Sequence, residues 1–233
     1  MTSSTYIARR QQLETYFDRT AVEAWKRLTS DAPVGSVRAT VRAGRDSMRA
    51  KLLSWLPEDL SGARILDAGC GTGALAIEAA KRGADVVAID ISPTLVDLAK
   101  QRAPADLGHG RVTFAAGDML DPALGRFDHV VAMDSLIHYD GKDIANTLAL
   151  LAKRTSGSIV FTIAPRTPAL TVMLAMGRLF PRGDRSPAIA PISQKALERH
   201  VRPHAALEGW RFARACRVSR GFYISEALEV HAP

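Results

Sequence analysis

Cysteine is nearly absent. The 233-residue chain has two, Cys70 and Cys216. Cys70 lies inside a glycine-rich turn, which argues against a structural disulfide and for a reducing, cytoplasmic setting. Long apolar runs are missing as well. The longest apolar-leaning stretch, PALTVMLAMGRLF (residues 168–180), is interrupted by Arg178 and is too short to span a bilayer. The first residues, MTSSTYIARRQQLE, hold no apolar signal core. There is no internal repeat, no low-complexity block and no ligand cluster spaced for a protein-bound metal. These absences point to a soluble protein whose contact with a membrane is peripheral at most.

The composition supports a large buried core, with 47% hydrophobic residues. The length suits one domain with decorations. Net charge is +7, so the surface attracts something anionic: nucleic acid, an acidic lipid face or a carboxylate-bearing substrate. Composition alone does not choose among them.

Residues 8–28 read as a helix, with Leu13, Phe17, Ala21, Ala24, Trp25 and Leu28 near helical spacing. DAPVGS (31–36) breaks it. A second, arginine-rich helix covers about residues 37–56, ending before Pro57. From Ala63 the rhythm becomes strand, helix, strand, helix. Strands are expected at ARILDA, ADVVAID, RVTFAAGD, FDHVVAMDS and GSIVFTIA. Helices are expected at GALAIEAAKRG, SPTLVDLAKQRA and KDIANTLALLAKRT, with Ser92 as an N-cap and Pro93 behind it. Near-continuous apolar strands alternating with helices call for a parallel sheet covered on both faces. Residues 165–200 break the rhythm with five prolines. The tail, WRFARACRVSRGFYISEALEV, reads as a closing antiparallel hairpin.

The turn GCGTGA (Gly69 to Ala74) follows a strand, opens a helix and matches G-x-G-x-x-G/A. Asp90 ends the next strand, 21 residues after Gly69, where a carboxylate can accept both ribose hydroxyls. An adenosine-containing cofactor is expected there, with Ile91 beside Asp90 in its site. Asp67 decides which cofactor. A dianionic pyrophosphate on this turn would be repelled, by about 4 kcal/mol for unit charges roughly 4 Å apart at an effective dielectric near 20. S-adenosylmethionine has no phosphate, and its sulfonium and ammonium groups favour an anion at the turn's mouth. Gly69 and Gly71 then allow close backbone approach rather than phosphate capture.

ILDAGCGTG, VVAIDIS, GDM and FDHVVAMDSLIHY together resemble the class I S-adenosylmethionine-dependent methyltransferases, over roughly residues 63–164. The resemblance implies a Rossmann-like α/β fold: a seven-stranded, mostly parallel sheet with an antiparallel last strand, helices on both faces and an N-terminal helical arm. It implies that Asp118 holds the adenine amino group, that Met119 packs on the ring, and that Asp134 and Ser135 face the transfer site. S-adenosylhomocysteine would be the product.

The flanks narrow the acceptor. YFDRTAVEAWKRL, VRATVRAGRDSM, MDSLIHY, FTIAPRT, GRLFPRGDRSP and GFYISEALE resemble the magnesium-protoporphyrin IX methyltransferases of bacteriochlorophyll synthesis. That family esterifies one propionate of magnesium-protoporphyrin IX, so the magnesium enters with the substrate. The resemblance also implies contact with a magnesium chelatase subunit, and peripheral association with the photosynthetic membrane is compatible with the basic charge. It divides the chain into a helical arm or lid (1–58) and a methyltransferase domain (59–233) with a substrate-side insertion at 165–193.

A large flat ring with two carboxylates needs an apolar slot and cations. Arg38, Arg42, Arg45 and Arg49 recur at intervals of three and four and share one helical face. A merely solvated basic face fits the same pattern. Arg166, Arg182 and Arg185 in the insertion are the second group of candidates. His138 is the candidate catalytic residue. It is expected to hydrogen-bond the attacking carboxylate, take its proton if burial raises the carboxyl pKa, or meet the central magnesium. The family places an active-site tyrosine where this chain, aligned through Trp25, has Thr29. Tyr16 is the substitute considered, forming a lid with Phe17. An O- or N-methyltransferase of another small aromatic or quinone-like acceptor is the alternative enzyme. Nucleic acid is disfavoured, since no N-P-P-Y-type motif or appended binding module is present. A porphyrin carrier without turnover is the non-enzymatic alternative.

Overall fold

The computed structural model describes residues 3–20, 35–168, 170–172 and 188–233. Seven strands form one sheet: β1 (Arg64–Ala68), β2 (Asp85–Asp90), β3 (Arg111–Ala116), β4 (Phe127–Ala132), β5 (Thr155–Ile163), β6 (Arg211–Arg220) and β7 (Tyr223–His231). Their order is β3-β2-β1-β4-β5-β7-β6. Strands β1 to β5 pair in parallel, and β7 runs antiparallel between β5 and β6. The expected sheet and closing hairpin are both present.

Among the described residues, the helices around it include α1 (Ser4–Thr15), α2 (Ser36–Leu53), α3 (Ala74–Lys81), α4 (Pro93–Arg102), α5 (Gly141–Ala152) and α6 (Gln194–Val201). Strand alternation sorts the core into two faces. Ile65, Val131 and Val160 pack with Met48, Leu52 and Leu53 of α2 and with the alanines of α3. Leu66, Val130, Ile159 and Phe161 pack with Tyr6 and Leu13 of α1 and with Ile144 and Leu148 of α5. Ser92 caps α4, its hydroxyl accepting from the Leu95 N–H, with Pro93 at the first turn as its sequence requires.

The first helix differs from the periodicity reading. It starts at Ser4 because the Ser3 hydroxyl accepts from the Tyr6 N–H at 3.1 Å. It gives way at Tyr16 to a π-helical turn, Tyr16–Thr20. Trp25, Leu28 and Thr29 lie outside the described residues, as do Arg182 and Arg185. Polar contacts fasten the arm to the layer beneath it. Thr5 donates to Asp143 of α5 at 3.0 Å, and Asp18 accepts from the Ser92 hydroxyl and Thr94 N–H at 3.2 Å each.

Because β1 pairs with β2 on one side and β4 on the other, the chain departs in opposite directions from its C-terminal end. That split opens the crevice in which open α/β sheets bind ligands. The β1–α3 turn forms its floor. Gly69 has φ of +89°, and a Cβ there would lie 2.5 Å from the Cβ of Ser135. Both facts demand glycine. Gly69→Ala should destabilise the protein by about 1–3 kcal/mol. That loss is several degrees of melting temperature, readable by calorimetry. A midpoint within about one degree of the parent's would show that the turn tolerates a side chain.

Candidate active site

One cavity of about 390 Å³ opens above the C-terminal ends of β1, β2 and β4. At one end it is lined by Gly69 and Gly71 of the turn, Asp90, Ile91, Gly117 and Met119. At the other end Arg38, Val41 and Arg45 of α2 meet Phe222 and Tyr223 of the closing hairpin. Asp134, Ser135 and His138 stand between, and the arm contributes Leu13, Tyr16 and Phe17.

Asp90 faces the cavity from the end of β2 and is held by two amides. Its carboxylate accepts from the Gly71 N–H at 2.8 Å and the Ser92 N–H at 2.9 Å. Burial nevertheless pushes its pKa up. Asp67 sits differently from its expected place at the mouth of the turn. It is 1% exposed and outside the cavity lining. Strand parity explains this: Asp67 shares the face of Ile65, which packs toward α2 and α3. The Ala76 amide at the start of α3 lowers its pKa, but burial and then the charge of Asp90 raise it further, to about 7. One oxygen of Asp67 and the hydroxyl of Ser135 are buried with no hydrogen-bond partner among the described residues.

Asp118 is held by the arm. Its Oδ1 accepts from the Tyr6 hydroxyl at 2.8 Å and the Leu120 N–H at 2.9 Å, while Oδ2 meets Arg10 at 3.2 Å. A carboxylate offers about four acceptor positions. Three are engaged here, and the neighbouring Gly117 and Met119 line the cavity while Asp118 does not. Tyr6 also stacks on Tyr139, with centroids 4.9 Å apart.

His138 is buried in the cavity wall at the end of a short 3-10 turn, Leu136–His138. Its Nδ1 lies 3.4 Å from the Ala188 carbonyl. A carbonyl only accepts, so Nδ1 carries the proton and Nε2 keeps its lone pair. Burial lowers the pKa below the ordinary 6.5, outweighing the Ala188 carbonyl and the Asp134 charge. The imidazole is therefore neutral at pH 7. Phe17 meets its ring edge-on at 6.0 Å.

The arginine stripe divides. Arg38 and Arg45, seven residues apart, line the cavity, whereas Arg42 does not. Arg49 pairs with Asp46 at 3.0 Å and Glu78 at 2.7 Å. Arg166 is exposed and outside the lining. Tyr16 lines the cavity edge-on to Phe17. The sequence reading missed Tyr223 and Ser225, which join Asp134 from β7. Both lie in the GFYISE segment, one of those that carry the family resemblance. No helix among the described residues is long and apolar enough to cross a membrane.

Comparison with known proteins gives the family. A family model described as magnesium-protoporphyrin IX methyltransferase C-terminus matches residues 132–232, and one described as a methyltransferase domain matches residues 65–156. The magnesium-protoporphyrin O-methyltransferase of Rhodobacter capsulatus is 55% identical over 227 residues, spanning 97% of this chain and 98% of that one. The crystal structure of magnesium protoporphyrin IX methyltransferase from Synechocystis PCC 6803 with bound S-adenosylhomocysteine has a TM-score of 0.80 at 30% identity, covering 96% of this chain and 100% of that one. The same enzyme with bound S-adenosylmethionine gives 0.77 at 26% identity, covering 97% of each. A near-full-length relative at 55% identity, with the family models and these two structures of like fold, settles the family: the chain belongs to the magnesium-protoporphyrin O-methyltransferases, which are class I S-adenosylmethionine-dependent enzymes.

Proposed function

We propose that this protein transfers a methyl group from S-adenosylmethionine to one propionate carboxylate of magnesium-protoporphyrin IX, giving the monomethyl ester of bacteriochlorophyll biosynthesis. The observation that carries the reading is the continuity of the cavity. It runs from the anionic Asp90 end, past His138, to the arginines of α2.

The residues present fit the cofactor. Asp90 suits the ribose hydroxyls, and Ile91 and Met119 supply apolar surface for the adenine. The remaining acceptor position of Asp118 suits the adenine amino group. Gly69 and Gly71 let backbone come close, and the unpartnered Ser135 hydroxyl has a donor and acceptor to offer. Asp67, which titrates near 7 beneath the turn, would be drawn into its charged form by a cation above it. When bound, S-adenosylmethionine supplies a sulfonium-activated methyl group. Arm residues Leu13, Tyr16, Phe17, Arg38, Val41 and Arg45 line the same cavity, in keeping with residues 1–58 as a cover over domain 59–233.

Acceptor chemistry falls to His138. A propionate drawn into this cavity loses water, and burial favours its neutral, protonated form. The Nε2 lone pair can take that proton, making His138 an imidazolium and leaving the carboxylate oxygen free to bond to the methyl carbon, whose bond to sulfur would break in the same step. The tautomer set by Ala188 thus selects proton acceptance over hydrogen-bond donation. Transfer of the pigment from a magnesium chelatase subunit and a peripheral contact with the photosynthetic membrane belong to the same reading, supported by the net charge of +7.

Three outcomes are expected. Purified protein incubated with S-adenosylmethionine and magnesium-protoporphyrin IX should yield a product heavier by one CH2 in mass spectrometry. No such product, under conditions where the Rhodobacter enzyme works, rejects the assignment. His138→Ala should lower kcat by roughly 100-fold or more, with S-adenosylhomocysteine affinity within about twofold of the parent's. The parent's rate should fall on the acid side below the ordinary histidine value of 6.5, because protonation removes the lone pair, and the variant should lack that limb. Retained turnover removes His138 from the mechanism.

Asp67→Asn separates charge from fold. The folded carboxyl titrates near 7, above its unfolded value of about 4. It therefore contributes stability that is complete below about pH 4 and is lost as pH rises through 7. The asparagine variant should flatten that part of the stability curve. It should also weaken S-adenosylmethionine more than S-adenosylhomocysteine, which lacks the sulfonium charge. Equal losses for both ligands would mean that Asp67 shapes the turn and does not act through its charge.

A further inference from the structure

Asp134 is the one non-glycine residue at positive φ among the described residues, at +55°. Aspartate enters this region more readily than most side chains, at some strain. The surroundings hold it there. Its N–H donates to the Thr162 hydroxyl at 2.7 Å. Its carboxylate accepts from the Tyr223 hydroxyl at 2.9 and 3.2 Å, from Thr162 at 3.3 Å, from Ser225 at 3.4 Å, and from Arg45 at 2.6 Å. Its carboxylate oxygens are therefore taken up by donors on four other residues. Its remaining effect is to fix its partners.

A second local concession points to the same place. Gly44 lies inside α2, where glycine costs about 1 kcal/mol relative to alanine. A Cβ at Gly44 would stand 2.6 Å from the Cβ of Tyr223. The missing side chain lets the tyrosine lie against the helix and reach Asp134. Adhesion of α2 does not need this arrangement, since Met48, Leu52 and Leu53 are almost wholly buried. A strained aspartate and a helical glycine together place one guanidinium, that of Arg45, in the cavity wall beside Asp134, Ser135 and His138. Local rules broken in concert mark function more than stability.

We propose that Arg45 is the carboxylate anchor of this site, and that Asp134, Tyr223 and Gly44 are positioning residues that aim it. The planar fork of arginine matches a carboxylate in a way lysine does not. Asp134 balances its charge and fixes its plane. Two carboxylates can arrive at this point: the amino-acid end of the cofactor and the propionate of the acceptor. The second source rests on the function proposed above; the first does not. Arg38, seven residues earlier, lies about 10 Å away along the helix axis and faces the same cavity, placed for a second carboxylate.

The test uses Arg45→Lys, which keeps the charge and loses the fork, and Tyr223→Phe, which keeps the ring against Gly44 and loses the hydroxyl. Calorimetry gives the affinity of each variant for S-adenosylhomocysteine and for 5′-methylthioadenosine, which has no amino-acid end. Steady-state kinetics give KM for magnesium-protoporphyrin IX. If the anchor takes the cofactor, S-adenosylhomocysteine affinity drops about tenfold in Arg45→Lys while methylthioadenosine binds as in the parent. If it takes the acceptor, both nucleosides bind normally and KM rises about tenfold. Tyr223→Phe should move the same quantity in the same direction by about threefold. The proposal is overturned if no quantity changes by more than about twofold. It is also overturned if methylthioadenosine affinity falls in step with S-adenosylhomocysteine, since Arg45 would then only hold the fold. A parent protein inactive on magnesium-protoporphyrin IX defeats the proposed function instead. The two nucleosides then decide alone, and an unchanged ratio overturns the anchor.

Discussion

Two carboxylates are taken out of water at the C-terminal ends of adjacent strands, Asp67 on β1 and Asp90 on β2, and neither makes an ion pair among the described residues. Burying one such ion costs several kcal/mol even after relaxation. The protein offsets the cost in two ways. Asp90 takes backbone amides from Gly71 and Ser92, which is why the turn and the start of α4 must sit where they do. Asp67 holds its proton up to about pH 7. A cation arriving above the turn relieves the remaining penalty. The glycine turn, the Ser92 cap and the parity of β1 all serve this one electrostatic arrangement, on a chain whose overall charge has the opposite sign.

The same cavity carries cations at its other end. Arg38 and Arg45 face it from α2, and Asp134 divides the two poles with its own charge matched by Arg45. This polarity suits the reaction. A sulfonium and a carboxylate combine to give two neutral products, so charge disappears along the reaction coordinate. A dry apolar wall built from Phe17, Val41, Leu170 and Ile189 therefore favours the transition state over separated ions, once fixed charges have drawn the reactants in.

The parts of this arrangement legible in the sequence are those set by short-range rules. The strand–turn–helix at residues 65–80, the Ser92–Pro93 start of α4 and the apolar parallel strands follow from spacing and caps, and the structure shows each of them. Asp67 was legible as an unusual acid but was assigned to the mouth of the turn, because motif spacing was read without strand parity. Helix α6 has only Leu197 and Val201 buried over eight residues, too brief a period to register. The Asp134 cluster was out of reach for another reason. It joins residues 45, 134, 162, 223 and 225, and only the sheet order that sets β7 beside β5 brings them together. Gly44 gains its reason only from Tyr223, which the sheet order lays against it.

The elements that distinguish this site from the generic sheet come from the arm. Residues 6, 10, 17, 38 and 45 all precede β1, yet they hold Asp118, touch His138 and supply both cavity arginines. Function here is grafted onto a common fold by what is laid over it. Asp118 shows how closely the two are joined. Tyr6 and Arg10 of α1 both reach its carboxylate, and its neighbours Gly117 and Met119 line the cavity. The seating of α1 is therefore tied to the loop that walls the Asp90 end. On the far side of the cavity α2 carries Arg45, so the two helices of the arm bracket the cofactor end and the transfer point from outside the sheet.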